Sequence, residues 1–489
     1  MEPRRYRKLT LLHSNDIHGD FLAEQAKDRL VGGFSMLSGY VSKVRREEPN
    51  TLYCVAGDMF WGSVIDSEYQ GISTIEFMNL LAPDVVCVGN HEVDYGVAHL
   101  LFLEKCASFP LINANMYIRG SHARLFEPFL IREVDGMKVL FIGILTEEVT
   151  AHTKNDGLTG PMVIIEEAAR EVERICNAYR SVDIDLTVLM THIGIEADKR
   201  LAAALDPSLG VDVIIGGHSH TFMKEPLLVN GIQIVQAGMG TDQIGRFDLV
   251  VDTEENRVAA WGWQCVPIEE GSCPRDERLE ELITSYKEAT DAKYLRVITR
   301  LARELTHPER NRQTEIGSLL TDALKNSFGV DIMLVASGSI RRPSLGPIVL
   351  LQDLRECFPY DEAVHMLTLT GAQLRKMFSW MLREEVWQGV HSEFYQLSEG
   401  LKVVWRRETQ TLEQFELNGR PVEEDRFYTL GLQNYVYQSF DDLFHFPRAE
   451  AEANAAPRLL CTSDVDVLEE YLSASHLLDS HGTDRLTVL

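Results

Sequence analysis

Five short apolar runs in this chain end the same way, in a tight turn followed by side chains that bind metal ions. "LLHSNDIHG" presents Asp16 and His18, "LYCVAGD" presents Asp58, and "VVCVGNHE" presents Asn90 and His91. "TVLMTH" closes on His192, and "DVIIGGHSH" on His218 and His220. Each residue alone has an ordinary reading, since an isolated histidine is more often a surface or satisfied core side chain than a ligand. Five separate strand ends carrying the right residue types make a joint pattern. Carboxylate and amide oxygens mixed with imidazole nitrogens suit divalent cations such as Mn2+, Zn2+, Co2+ or Fe2+. A carboxylate such as Asp58 can bridge two ions. Two cations about 3.5–4 Å apart polarise a phosphoryl group, lower the pKa of a shared water and clamp an in-line displacement.

These side chains need a scaffold that brings strand ends together. In α/β folds the carboxyl ends of the strands form the crevice where ligands bind, so five such endings can converge. Gly57, Gly89, Gly216 and Gly217 allow the sharp turns this requires. The runs "KLTLLHS", "NTLYCVAG", "DVVCVGN", "KVLFIGIL", "DLTVLMTH", "VDVIIGGH", "IQIVQAG" and "GRFDLVVD" read as strands of a layered α/β domain. Phe34, Leu37, Tyr40, Val41 and Val44 fall at helical spacing between them, and "VIIEEAAREVERICNAYR" reads as a further helix.

With 489 residues, the chain is too long for one ordinary core. The pattern changes near Gly271 to Pro274. Residues 1–273 form the expected first domain, 274–299 a linker helix with Leu279, Leu282, Ile283, Tyr286 and Ala289 on one face, and 300–489 a second α/β domain. In the second domain "DIMLVAS", "VHMLTLT", "LKVVWRR" and "FYTLGLQ" read as strands, and "EIGSLLTDALKNSF" and "GAQLRKMFSWMLREE" as helices. "AEAEANAAP" reads as a loop or a loosely packed helix.

A formal net charge of −27 argues against a nucleic-acid polymer or an anionic membrane surface as partner. A small anionic substrate is still compatible, because bound cations invert the local sign. No window reaches the roughly 18 apolar residues of a membrane helix. The opening "MEPRRYRKLTLLHSND" has no apolar stretch of signal-peptide length, and the eight cysteines show no CxxC spacing. A cytoplasmic location is the expectation. His99, His122 and His391 are read as ordinary histidines.

The ordered set "NDIHG", "GDMFWGS", "GNHEVDYG", "TH" and "GHSH" resembles the calcineurin-like metallophosphoesterases and, within them, the 5′-nucleotidase family. That family includes UDP-sugar hydrolases, ecto-5′-nucleotidases and 2′,3′-cyclic-nucleotide phosphodiesterases. "GGFSMLSGYV" and the "NAN" ending at Asn115 fit the same pattern, Asn115 among the residues near the substrate. The resemblance implies a four-layer αββα metallophosphoesterase sandwich, a linker helix and a 5′-nucleotidase-type C-terminal domain that binds the substrate. It also implies one metal on Asp16, His18, Asp58 and His220 and another on Asp58, Asn90, His192 and His218. A metal-bridging hydroxide would attack phosphorus in line, with His91 stabilising the phosphoryl charge and Asp94 orienting His91. Glu92 is left as a hydrogen-bond acceptor behind the ligands.

In the second domain the resemblance places Arg310 and Arg341 on anionic groups, Tyr360 and Tyr435 around a base, and Asp441 on ribose hydroxyls. Ordinary packing for the tyrosines and surface ion pairs for the arginines are the competing readings. Four positions, at three places, depart from the family pattern. Ala336 stands where an asparagine contacts the base, Glu315 replaces the first residue of "NMGN", and Ser439 and Phe440 displace two glycines before Asp441. The last change is expected to narrow or reshape the pocket. The expected activity is hydrolysis of nucleotides or related small phosphate esters, with cyclic-nucleotide phosphodiesterase or UDP-sugar hydrolase as the alternative within the family. A protein phosphatase is disfavoured because "GDMFWGS" replaces "GDxVDRG". A non-catalytic nucleotide binder or sensor is disfavoured because every expected ligand is present.

Overall fold

A computed structural model of the chain describes residues 5–147, 163–387 and 394–489. His391 lies outside the described residues. The chain forms two compact units, Met1–Thr290 and Asp291–Leu489.

The first unit is built on two six-stranded sheets. One runs in the order Arg257–Pro267, Gln243–Asp252, Tyr6–Ser14, Thr51–Ala56, Val85–Cys87, Leu111–Ile112. The other runs Leu227–Val229, Ile232–Val235, Val213–Gly216, Leu186–His192, Met137–Leu145, Phe129–Val134. The central strands of each sheet are parallel. Strands buried on both faces read as continuous apolar runs, which is why these segments stand out in the sequence. Leu9, Leu11, Cys54 and Cys87 of the first sheet share a core with Phe141, Val188, Met190 and Ile215 of the second.

Helices cover both outer faces and complete an αββα sandwich. Phe34, Leu37, Val41 and Val44 of Phe34–Glu47 pack on the first sheet. Val172 and Ile175 of Ala168–Ala178 pack on the second. The helix expected from Val163 starts at Ala168. Val163–Ile165 instead pairs antiparallel with Met116–Ile118, so its β-branched residues serve a strand. Leu279 and Ile283 of helix Glu277–Tyr294 belong to the core of the first unit, with Leu282 and Tyr286 packed against it.

The second unit has a five-stranded sheet in the order Tyr395–Leu397, Ile332–Ala336, Phe427–Gln433, Val364–Thr370, Arg458–Cys461. A smaller sheet contains Leu401–Arg406 and Thr411–Leu417. Helix Glu315–Phe328 begins at Thr314, whose hydroxyl accepts the Gly317 N–H at 3.1 Å. The "AEAEANAAP" stretch starts as the short helix Arg448–Glu452, with Ala451 fully buried. No described helix is long and apolar enough to cross a membrane.

Candidate active site

Asp16, Asp58, Asn90, His192 and His218 all sit at or just beyond the carboxyl ends of parallel strands from the two sheets. Because the sheets face each other, these ends meet at one edge of the sandwich. His192 Nε2 lies 3.0 Å from Asp58 Oδ2 and 3.8 Å from Asp16 Oδ1. Asn90 Oδ1 lies 3.1 Å from His192 Nε2 and 2.7 Å from His218 Nδ1. His220 Nε2 lies 3.5 Å from Asp16 Oδ1 and 3.2 Å from His18 Nε2. His18 Nε2 is 3.8 Å from Asp58 Oδ2. One ligand atom from each of Asp16, His18 and His220 falls within 4.8 Å of the others, and the same holds for Asp58, His192 and His218.

The donor set fits divalent cations. His192 Nδ1–H donates to Ala56 O at 2.8 Å, and His18 Nδ1 faces the carbonyls of Trp61 and Phe60 at 3.1 and 3.3 Å. Both rings therefore turn a lone pair on Nε2 toward carboxylate, amide and imidazole acceptors, and acceptors converging on acceptors need positive charge between them. Burial opposes a charged His192, yet Asp58 and Asp16 raise its pKa to about 10. Asp58 stays ionised well below the usual carboxylate range; burial works against this, and His192 and His91 outweigh it.

Five of the ligand residues lie in the left-handed backbone region, with φ of 52° at Asp16, 50° at His18, 54° at Asp58, 78° at His218 and 51° at His220. Non-glycine residues enter this region at a cost, and such strain gathers where a side chain must be aimed. The neighbouring glycines make room. A Cβ on Gly57 would stand 2.4 Å from His192 Nδ1, and one on Gly217 would stand 2.5 Å from Ala56 O.

His91 lies at the rim. Its Nδ1–H donates to Asp94 Oδ2 at 2.6 Å, and its backbone N–H donates to Asp58 Oδ1 at 2.9 Å. Burial lowers the pKa of its ring, but the Asp94 hydrogen bond and the Asp58 charge prevail and raise it. Glu92 is fully buried and accepts the N–H groups of Gly89 at 2.5 Å, Met59 at 2.6 Å and Asp58 at 3.0 Å, tying the Asp58 and Asn90 turns together.

The structure adds residues that the sequence reading did not single out. Buried Asn15 donates to Asp16 Oδ2 at 2.6 Å and Gly238 O at 2.6 Å, and accepts Ala237 N–H at 2.9 Å. Buried Gln236 accepts from Ser219 Oγ at 3.1 Å and Thr221 N at 3.2 Å, holding both flanks of His220, and donates to Asp198 at 3.2 Å. Burial pushes the Asp198 carboxyl up to about 7. Gln236 directly follows strand Ile232–Val235 in the run "IQIVQAG", so the carboxyl-end rule applied once more would have found it. Asp198 sits on helix Ile195–Ala204 and carries no such signal.

Asn115 is a correction. It is fully buried, and its amide is spent on Leu145 O at 2.8 Å, Glu166 O at 3.1 Å and Leu145 N at 2.9 Å, which makes it a loop clasp and takes it from any substrate. His99 is half-buried and bonded to Gln70 O at 2.7 Å, and His122 is exposed and stacked on Tyr117 at 4.6 Å.

In the second unit Tyr360 and Tyr435 are 43% and 45% exposed, which removes core packing as their explanation. The segments carrying them are laced together, with Tyr435 N–H donating to Glu362 at 2.6 Å and Asn434 N–H to Ala363 O at 2.8 Å. The Arg341 guanidinium lies over the Tyr360 ring at 5.8 Å. Arg310 is exposed in a turn before helix Glu315–Phe328. Asp441 is exposed and accepts Arg448 N–H at 2.6 Å. Phe440 does not narrow a pocket: it is fully buried, packed with Phe444 and Phe446 in the core of the unit. Glu315 pairs with Arg303 at 2.7 Å, and Ala336 is a buried strand residue.

Two family models match the chain, "Calcineurin-like phosphoesterase" over residues 9–222 and "5'-nucleotidase, C-terminal domain" over residues 294–448. The 5′-nucleotidase of Mus musculus is 26% identical over 526 residues, covering 95% of this chain and 88% of the mouse protein. The crystal structure of a 5′-nucleotidase precursor from Thermus thermophilus matches 99% of each chain, with a TM-score of 0.64 and 23% identity. The NAD nucleotidase of Haemophilus influenzae also matches 99% of each chain, with a TM-score of 0.61 and 17% identity. The first match spans the metal-ligand turns and the second the tyrosine-bearing segments; the chain is a member of the 5′-nucleotidase family of calcineurin-like phosphoesterases.

Proposed function

We propose that this chain hydrolyses phosphate esters of nucleosides, with 5′-mononucleotides as the principal substrates, using two divalent cations. Asp16, His18, Asp58 and His220 would hold one ion, and Asp58, Asn90, His192 and His218 the other. The observation that carries the reading is the pair of adjacent ligand groups, Asp16–His18–His220 and Asp58–His192–His218, joined where His18 Nε2 comes within 3.8 Å of Asp58 Oδ2, with the His91–Asp94 pair beside them. When bound, the cations polarise the phosphoryl group and make a water nucleophilic near neutral pH.

The chain's own residues do the rest. Asp94 holds the Nδ1 proton of His91, which fixes the tautomer with Nε2 directed away from it and favours the charged ring. His91 then donates from Nε2 to a phosphoryl oxygen as charge builds there, a charge-assisted bond stronger in the transition state than in the ground state. Asn15, Glu92 and Gln236 keep the ligand turns from relaxing. On the second unit, Tyr360 and Tyr435 offer ring faces to a base, a contact every base can make, and Arg341 offers a guanidinium to an anionic group. The names of the mouse and Thermus relatives support the 5′-nucleotidase reading.

The test is a panel of nucleoside 5′-monophosphates, 2′,3′-cyclic nucleotides and UDP-sugars, assayed after chelation and re-addition of Mn2+ or Co2+. Metal-restored release of phosphate from the monophosphates is expected. Preferential turnover of the cyclic nucleotides or UDP-sugars would overturn the substrate assignment, and inactivity with every metal and substrate would overturn hydrolysis. Asp58→Ala is expected to lose both ions by mass spectrometry. His91→Ala is expected to keep them while kcat falls ~10²–10³-fold.

A further inference from the structure

We infer that Trp61 is a positioning residue for catalysis, holding the His91 ring in its working orientation. The inference rests on the reading of His91 as the phosphoryl-oxygen donor. The Trp61 indole lies parallel to the His91 imidazole, with ring centroids 5.0 Å apart and an interplanar angle of 4°. Asp94 fixes one edge of His91 through Nδ1 and the His18 ring meets it edge-on at 5.2 Å, but neither contact covers the face of the imidazole. A flat wall against that face removes the ring's remaining freedom.

Folding alone gives no reason for a tryptophan here. The indole is 51% exposed, so it contributes little to the core. Its backbone φ is +65°, a region that is costly for a bulky side chain and that glycine would occupy freely. The position is nevertheless held from both sides. The Trp61 backbone N–H donates to Asp66 Oδ2 at 2.9 Å, and Asp66 is fully buried, bonded to Tyr95 OH at 2.7 Å and to Thr74 Oγ1. Trp61 O accepts from His18 Nδ1 at 3.1 Å. The backbone therefore serves a metal-ligand residue, while the side chain reaches the catalytic ring. A strained, half-exposed aromatic pinned at both ends and stacked on a single functional group is placed for that group.

Backbone and side chain can be separated experimentally. Trp61→Leu leaves the bonds to Asp66 and His18 in place, so metal content and melting temperature should match the parent. The value of kcat for a nucleoside monophosphate should fall about 5- to 30-fold with KM within about twofold, the cost of letting the donor ring leave its working orientation. Trp61→Tyr and Trp61→Phe keep a ring face and should recover most of the loss, and they stand in if the leucine variant folds poorly. In the His91→Ala background Trp61→Leu should cost nothing further, because the group it positions is gone. An equal drop in both backgrounds, a fall in metal content, or an unchanged kcat in the single variant would overturn the inference. If His91→Ala itself keeps full kcat, the assignment of His91 fails instead, which is a distinguishable result.

Discussion

Gly57→Ala tests the close packing behind the metal ligands. Gly57 has φ of +80°, and a Cβ there would lie 2.4 Å from His192 Nδ1, 2.8 Å from His192 Cγ and 2.8 Å from Gly89 Cα. Ordinary contact is about 3.5–4.0 Å, so the imidazole must retreat by about 1 Å. His192 is fully buried and anchored by its 2.8 Å bond to Ala56 O, so retreat breaks that bond. The left-handed backbone costs about 1–2 kcal/mol for alanine, and the broken bond adds about 0.5–1.5 kcal/mol. A total of roughly 1.5–3.5 kcal/mol follows, before any loss of metal. Metal–ligand distances tolerate only about 0.2 Å, so affinity should fall by about 10- to 100-fold as well. Gly136→Ala is the control, with φ of +76° and nothing nearer its Cβ than Arg7 Nη2 at 3.9 Å. It carries the backbone strain without the collision. Urea unfolding under chelation reads the stability of each variant, and competition with a coloured chelator reads metal affinity. If both variants lose the same stability and both bind metal like the parent, the close approach to His192 is not what requires glycine.

Two further outcomes are expected. Asn15→Ala strands the buried Ala237 N–H and Gly238 O and frees Asp16, so it should lower stability by about 2–3 kcal/mol and weaken metal retention, read by thermal melting and metal analysis. Burial, helped by Glu362 and Asp361, raises the Asp464 pKa to about 8, against about 3.9 in an unfolded chain. The fold keeps a proton that the unfolded chain releases, so this contribution to stability falls as pH rises from about 4 to about 8 and is flat above; in Asp464→Asn the urea midpoint should lose that part of its slope.

The fold was legible where burial leaves a long one-dimensional trace. The two-sided strands of both sandwich sheets are unbroken apolar runs, and the αββα layering follows from their alternation with amphipathic helices such as Phe34–Glu47. The Val163 segment misled because three β-branched or apolar residues directly before a helix can be read as its first turn, while pairing with Met116–Ile118 is not visible locally. Phe440 misled for a related reason: composition says that a bulky residue replaces a glycine, but not whether it points outward or, as here, into the core.

By itself the sequence determined which side chains stand at the strand ends, because each ligand lies within a few residues of a glycine-assisted turn and both features are local. Tertiary structure alone decided how they are held. The carbonyl that orients His192 is 136 residues away, and the Asp16 carboxylate that receives the His218 N–H is 202 residues away. The stack of Trp61 on His91, the clasp of Asn15 on Asp16 and the internal bonding of Asn115 depend on rotamers and partners set when the two sheets close. Spacing along the chain encodes which chemical groups are available, while their direction is a property of packing.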